Sequence, residues 1–66
     1  MHLIINGQSR QFEQALNVQT LVEELGINEQ VCAIARNSVV VKKEDWAHTQ
    51  LQDNDRLECL QFMGGG

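Results

Sequence analysis

Apolar and polar residues alternate from the first position, with Met1, Leu3 and Ile5 on one side of an extended segment that Asn6-Gly7 ends at once. A type I′ turn needs positive φ at both central residues, and Asn-Gly is the pair that supplies it most readily, so the chain is expected to open with a β-hairpin. The return strand is expected over Ser9 to Glu13, with Phe12 as its core residue. The period then changes. Val18, Leu21, Val22 and Leu25 recur at helical spacing with Glu23 and Glu24 outside the stripe. Asn17 stands where an N-cap accepts backbone N–H groups, and Gly26 where a left-handed residue ends a helix. A helix of about two turns is too short to persist alone and must pack on the sheet.

Extended patterning resumes at Val31-Cys32-Ala33-Ile34-Ala35-Arg36, turns at Asn37-Ser38 and continues through Val39-Val40-Val41. With Arg36 taken to face water, alternation puts Cys32 and Ile34 on the outer face and Val31, Ala33 and Ala35 under the helix. Lys42 to Leu51 reads as a helical turn and a crossing loop pinned by Trp46. The polar corner Asp53-Asn54-Asp55 opens a last strand, Arg56 to Phe62, with Leu57 and Cys59 inward and Leu60 and Phe62 outward. Hairpin, helix, hairpin, crossing loop and strand make a ββαββ order. The expected fold is α+β: a β-grasp (ubiquitin-like) roll, a mixed sheet with one helix across one face. Its first and last strands lie parallel at the centre, because the long connection between them supplies the crossover that parallel strands need. Residues 1–62 form the expected domain and 63–66 a flexible C-terminal tail.

Size and charge narrow the function. A 66-residue chain buries only about 60% of the surface that it exposes unfolded, so there is little room for an internal substrate pocket. Chemistry is expected at an edge, at a terminus or in a partner's active site. A net charge of −4 opposes the counterion-release binding of nucleic-acid proteins. No apolar run approaches the roughly 20 residues that span a bilayer, and the N-terminus lacks the pattern of a signal peptide, so a cytoplasmic location is expected and neither nucleic acid nor membrane is a partner. Cys32 and Cys59 are too far apart for a CxxC motif and read as small, buried or half-buried thiols. His2 and His48 have no serine or cysteine nucleophile placed beside them, and Glu44-Asp45 reads as a solvated turn, so neither catalysis nor a metal site is expected.

The sequence closes on Met63-Gly64-Gly65-Gly66. A carboxylate is a poor electrophile until transfer of AMP from ATP makes it an acyl-adenylate, and the enzyme that does this must draw the carboxylate into its own cleft. Glycine suits such a leash: it has no Cβ, it allows close backbone approach, and three residues reach at most about 10 Å. Gly66 is then the reactive residue, with Gly64 and Gly65 as the leash. Ile34, Leu60 and Phe62, with Met63 at the junction, form the expected docking patch.

These residues resemble the ubiquitin-like sulfur carriers of bacterial thiamine biosynthesis along nearly the whole chain. The resemblance rests on Asn6-Gly7, the Val18 to Leu25 helix, Ala35-Arg36-Asn37, Trp46, Asp53-Asn54-Asp55-Arg56 and Phe62-Met63-Gly64-Gly65-Gly66, in that order. Val41-Lys42-Lys43 and Asp53-Asn54-Asp55 depart from the Val-Pro-Arg and Asp-Gly-Asp often found there, and neither departure touches the tail. The resemblance implies a protein cosubstrate, not an enzyme, with no bound cofactor. A partner adenylyltransferase uses ATP and Mg²⁺ to adenylate Gly66. Persulfide sulfur from a cysteine desulfurase or another donor displaces AMP, and thiazole synthase takes sulfur from the resulting thiocarboxylate. A related carrier for molybdopterin or cysteine synthesis, or a protein modifier that forms an isopeptide through Gly66, shares the fold and the tail.

Overall fold

The computed structural model describes residues 1–27 and 32–61, the last by its backbone alone. Strands β1 (His2–Ile5) and β2 (Gln8–Gln11) form the opening hairpin, with Asn6 at φ 50° and Gly7 at φ 80°, the two positive values that the turn requires. β2 is shorter than the pattern suggested and all four of its residues are exposed. Phe12 lies just past its end, half-buried against the core, and its N–H donates to the Met1 carbonyl at 2.7 Å.

Helix α1 (Val18–Leu25) has the expected bounds and caps. The Asn17 Oδ1 accepts from the Thr20 N–H at 2.8 Å and Thr20 Oγ1 accepts from the Asn17 N–H at 2.9 Å, so two groups otherwise left unpaired at a helix start satisfy each other. At the other end Gly26, at φ 68°, donates to the Glu23 carbonyl, and the Ile27 N–H reaches back to Val22. The buried stripe of Val18, Leu21 and Val22 then meets the sheet.

Strands β3 (Cys32–Arg36) and β4 (Val39–Val41) turn through Asn37 and Ser38, both at positive φ, and β5 (Arg56–Gln61) closes the sheet in the order β2-β1-β5-β3-β4. β5 is parallel to β1 and antiparallel to β3, the central placement that the crossover argument required. Between β4 and β5 the 3-10 helix Lys43–His48 carries Trp46, which is 1% exposed and donates its indole N–H to the Val41 carbonyl at 3.0 Å. Backbone bonds from Val18 to Thr49 and from Leu51 to Leu16 stitch the crossing loop to the helix entry, and Leu16 and Leu51 join the core there.

One orientation is opposite to the expectation. Ile34 is fully buried in the core beneath α1, not on the outer face, and Cys32 packs against the same core. Register shows why. Ile34 pairs with Cys59 and Arg36 with Leu57, and directly paired residues share a face, so Arg36 lies on the helix side of the sheet with Leu57. Arg36 does not need open water there, because its Nε donates to the Asp55 carboxylate at 2.7 Å. Taking it as the outward marker inverted the strand. Ala33 and Ala35 therefore face away from the helix; the expectation for Val31 lies outside the described residues.

Candidate functional site

The outer face of the sheet is built by alternation alone. Leu60 pairs with Ala33, Glu58 with Ala35, and Ala35 with Val40, which places Ala33, Ala35, Val40, Glu58 and Leu60 on the side away from α1. Ile4, one residue out of step with buried Leu3 and Ile5, pairs with Arg56 on that side. Leu60 is 56% and Val40 67% exposed, with the two alanines between them too small to cover either, so an open apolar strip crosses three strands with Arg56 and Glu58 along one border. A hollow of about 430 Å³ adjoins it, lined by Ile4, Gly7, Arg56 and Glu58 among others.

Leu60 thus stands where the sequence put it. Ile34 does not belong to this patch, because it is core. Val40 takes its place through the neighbouring strand. A signal for this was present: in a strand that carries one large aliphatic residue between two alanines, the large one has more to gain from burial, about 25 cal/mol per Å² of apolar surface. Phe62, Met63, Gly64, Gly65 and Gly66 lie outside the described residues.

β5 is held in place from both sides. Asn6 donates its backbone N–H to the Leu57 carbonyl and accepts from the Cys59 N–H through Oδ1, each at 2.9 Å, so the turn residue of the first hairpin extends the pairing of β5 beyond the end of β1. At its start, Asp55 is only 7% exposed and accepts from Arg36 Nε, from Asn37 Nδ2 at 3.0 Å and from the Gln52 N–H at 2.8 Å. Burial works to raise its pKa. The hydrogen bonds from Gln52, Asn37 and Arg36, with the guanidinium charge, outweigh burial and hold the carboxyl below its ordinary range. The sequence marked this corner as polar without indicating that its last carboxylate is buried.

Other candidate groups serve structure. Burial, followed by the neighbouring Cys32, pushes the Cys59 thiol pKa up, which keeps it protonated and poorly nucleophilic near neutrality. His2 does have a serine beside it: its Nε2 meets the Ser9 hydroxyl and its Nδ1 lies 2.8 Å from Asn54 Oδ1. With the His2 N–H donating to Asp53 Oδ1 and its carbonyl accepting from Asn54, the cluster clasps the Asp53-Asn54 corner to the hairpin. Among the described residues no three His, Cys, Asp or Glu side chains gather as a metal site.

Comparison with known proteins agrees with this architecture. Residues 3–66 match the model of the ThiS family. The chain is 32% identical to the sulfur carrier protein ThiS of Escherichia coli (strain K12) over the full length of both. It is 39% identical along its whole length to a thiazole synthase of Paramagnetospirillum magneticum, of which it spans only 20%. The crystal structure of a thiamine biosynthesis protein (ThiS) from Geobacter metallireducens superposes with a TM-score of 0.87 at 32% identity, covering both chains completely.

Proposed function

The chain belongs to the ThiS family, and on that footing we propose that it is a sulfur carrier of thiamine biosynthesis whose Gly66 carboxylate bears the sulfur. The observation that carries this reading is the full-length match to a sulfur carrier protein, extending through the glycine run, on a fold whose central strand leads into that run. A partner adenylyltransferase joins the Gly66 carboxylate to the α-phosphate of ATP and releases pyrophosphate. The outer sulfur of a persulfide donor, such as a cysteine desulfurase, then displaces AMP to form an acyl disulfide. A second thiol attacks the donor's sulfur in that S–S bond, releasing the thiocarboxylate and leaving a disulfide on the donor side. Thiazole synthase is the acceptor, a role in keeping with the thiazole synthase among the relatives. The domain makes no bond itself; it presents Gly66 and is recognised.

Recognition falls to the outer face. Leu60 lies two residues before Phe62, and the strip of Leu60, Ala33, Ala35 and Val40 presents apolar surface that a partner can cover. On the inner face of β5 Leu57 is closed off in the core, so that part of the strand offers a protein partner no surface.

Incubation with the cognate adenylyltransferase, ATP, a persulfide donor and a thiol reductant is expected to exchange one oxygen for one sulfur, located at Gly66 by intact and fragment mass spectrometry. An unchanged mass with an active partner defeats the reading. A thiocarboxylate consumed by a molybdopterin or cysteine pathway, but not by thiazole synthase, moves the protein to a related carrier branch. A ladder of isopeptide conjugates makes it a protein modifier.

A further inference from the structure

On the helix side of the sheet, where α1 ends and the first hairpin turns, a cavity of about 380 Å³ opens between the two. Its floor is apolar: Ile5, Leu25, Ile27 and Cys59, the last three only half-buried, so each leaves part of its surface to the cavity. Its rim is polar. Gln8 and Arg10 line it from β2, and among the described residues no Asp or Glu does. The Arg10 guanidinium is held 5.7 Å from the centre of the Phe12 ring and forms no ion pair among the described residues. Asn6, also on the rim, is tied to β5 through its side chain and cannot swing in to fill the space.

A cationic mouth over an apolar floor, in a domain that is otherwise acidic, selects for a ligand of complementary build. We propose that this cavity is a binding site for a small amphiphilic carboxylate. Its hydrocarbon part rests on Ile5, Leu25, Ile27 and Cys59, and its carboxylate meets the Arg10 guanidinium, with the Gln8 carboxamide as a second donor. Guanidinium and carboxylate match as planar partners, which a simple point charge does not offer. The raised pKa of the Cys59 thiol keeps that part of the floor uncharged. The site is separate from the outer face, and the assignment does not rest on sulfur transfer to Gly66.

The test is a titration of the ¹⁵N-labelled full chain with sodium octanoate, followed by amide chemical shifts, with octanol as the uncharged comparison. Saturable shifts centred on Ile5, Leu25, Ile27 and Cys59 are expected. Arg10→Gln is expected to weaken the dissociation constant about fivefold, the worth of one solvent-accessible charge pair, and octanol to bind wild type more weakly by a similar factor. Lys42→Gln, which removes a cation outside the cavity, is expected to leave the constant unchanged. Shifts that never saturate or that scatter over the surface overturn the proposal. So does an Arg10→Gln protein that titrates like wild type, octanol binding as tightly as octanoate, or equal losses in the two variants, which would reduce the effect to net charge.

Discussion

Beneath α1, Ile34 and Leu57 are shut away from water, whereas on the opposite side of the same two strands Leu60 stands open beside Ala33 and Ala35. Neighbouring residues of one strand therefore carry separate duties. The inner set holds the domain together and the outer set is available to a partner, with no loop or insertion needed to build the second surface. The comparison also shows why a one-residue error of phase matters so much in a small sheet: it exchanges the two duties at every position of the strand.

The sharpest separation lies at the end of the chain. Deleting Gly66 is expected to abolish adenylation and sulfur loading in the mass assay while the thermal midpoint stays within about 1 °C, since the deletion removes a single residue that carries no side chain. A truncated protein that unfolds early would move the tail to the structural side of the comparison.

Next in size is the contrast between Ile34 and Leu60. Ile34→Ala should cost about 2–5 kcal/mol, a large part of the roughly 3–10 kcal/mol that a domain of this length commands. Leu60→Asp should change stability by about 0.5 kcal/mol or less, yet weaken binding to the adenylyltransferase about tenfold, equivalent to about 1.4 kcal/mol. Urea melts and a binding titration on the same two proteins decide it. Equal loss of folding and binding in Leu60→Asp would mean that the outer face is not a separate surface.

The Asp55 corner, which sets where β5 begins, tests the inner side by pH. Its pKa in the folded protein lies below the ordinary value of 3.8, so its contribution is fully present above that value and is lost as pH falls through the lower, folded one. Asp55→Asn should lower stability at neutral pH by about 2–3 kcal/mol, because Arg36 loses a charged partner at a nearly buried site. Its stability should then fall less steeply than wild type across the acid limb. Parallel acid limbs in the two proteins would count against this account.

The smallest effect is at the turn between β3 and β4. Ser38 holds φ at 73° without being glycine or asparagine, and Ser38→Gly should stabilise by about 0.5–1 kcal/mol as the left-handed strain is relieved. Thermal melts would show a rise of a few degrees, and both faces should keep their roles.

Local chemistry made much of this molecule legible beforehand. Asn6-Gly7, Asn17, the Val18 to Leu25 stripe and Gly26 each act through bonds within a few residues, and each formed as read. Chain order then determined the topology, since parallel pairing of β1 with β5 needs the intervening crossover. The chemistry proposed for the glycine run was read from composition and resemblance, without any fold. What the sequence left open was decided by contacts between distant residues. The facing of β3 turned on whether Arg36 meets water or Asp55, nineteen positions away. The outer strip needed register across β5, β3 and β4 before Val40 could stand near Leu60, and the cavity under Arg10 needed the end of α1 brought over the first hairpin. Short-range hydrogen bonding and periodicity are written in order along the chain, whereas the compensation of a buried charge and the phase of a strand depend on partners that only the folded chain brings together.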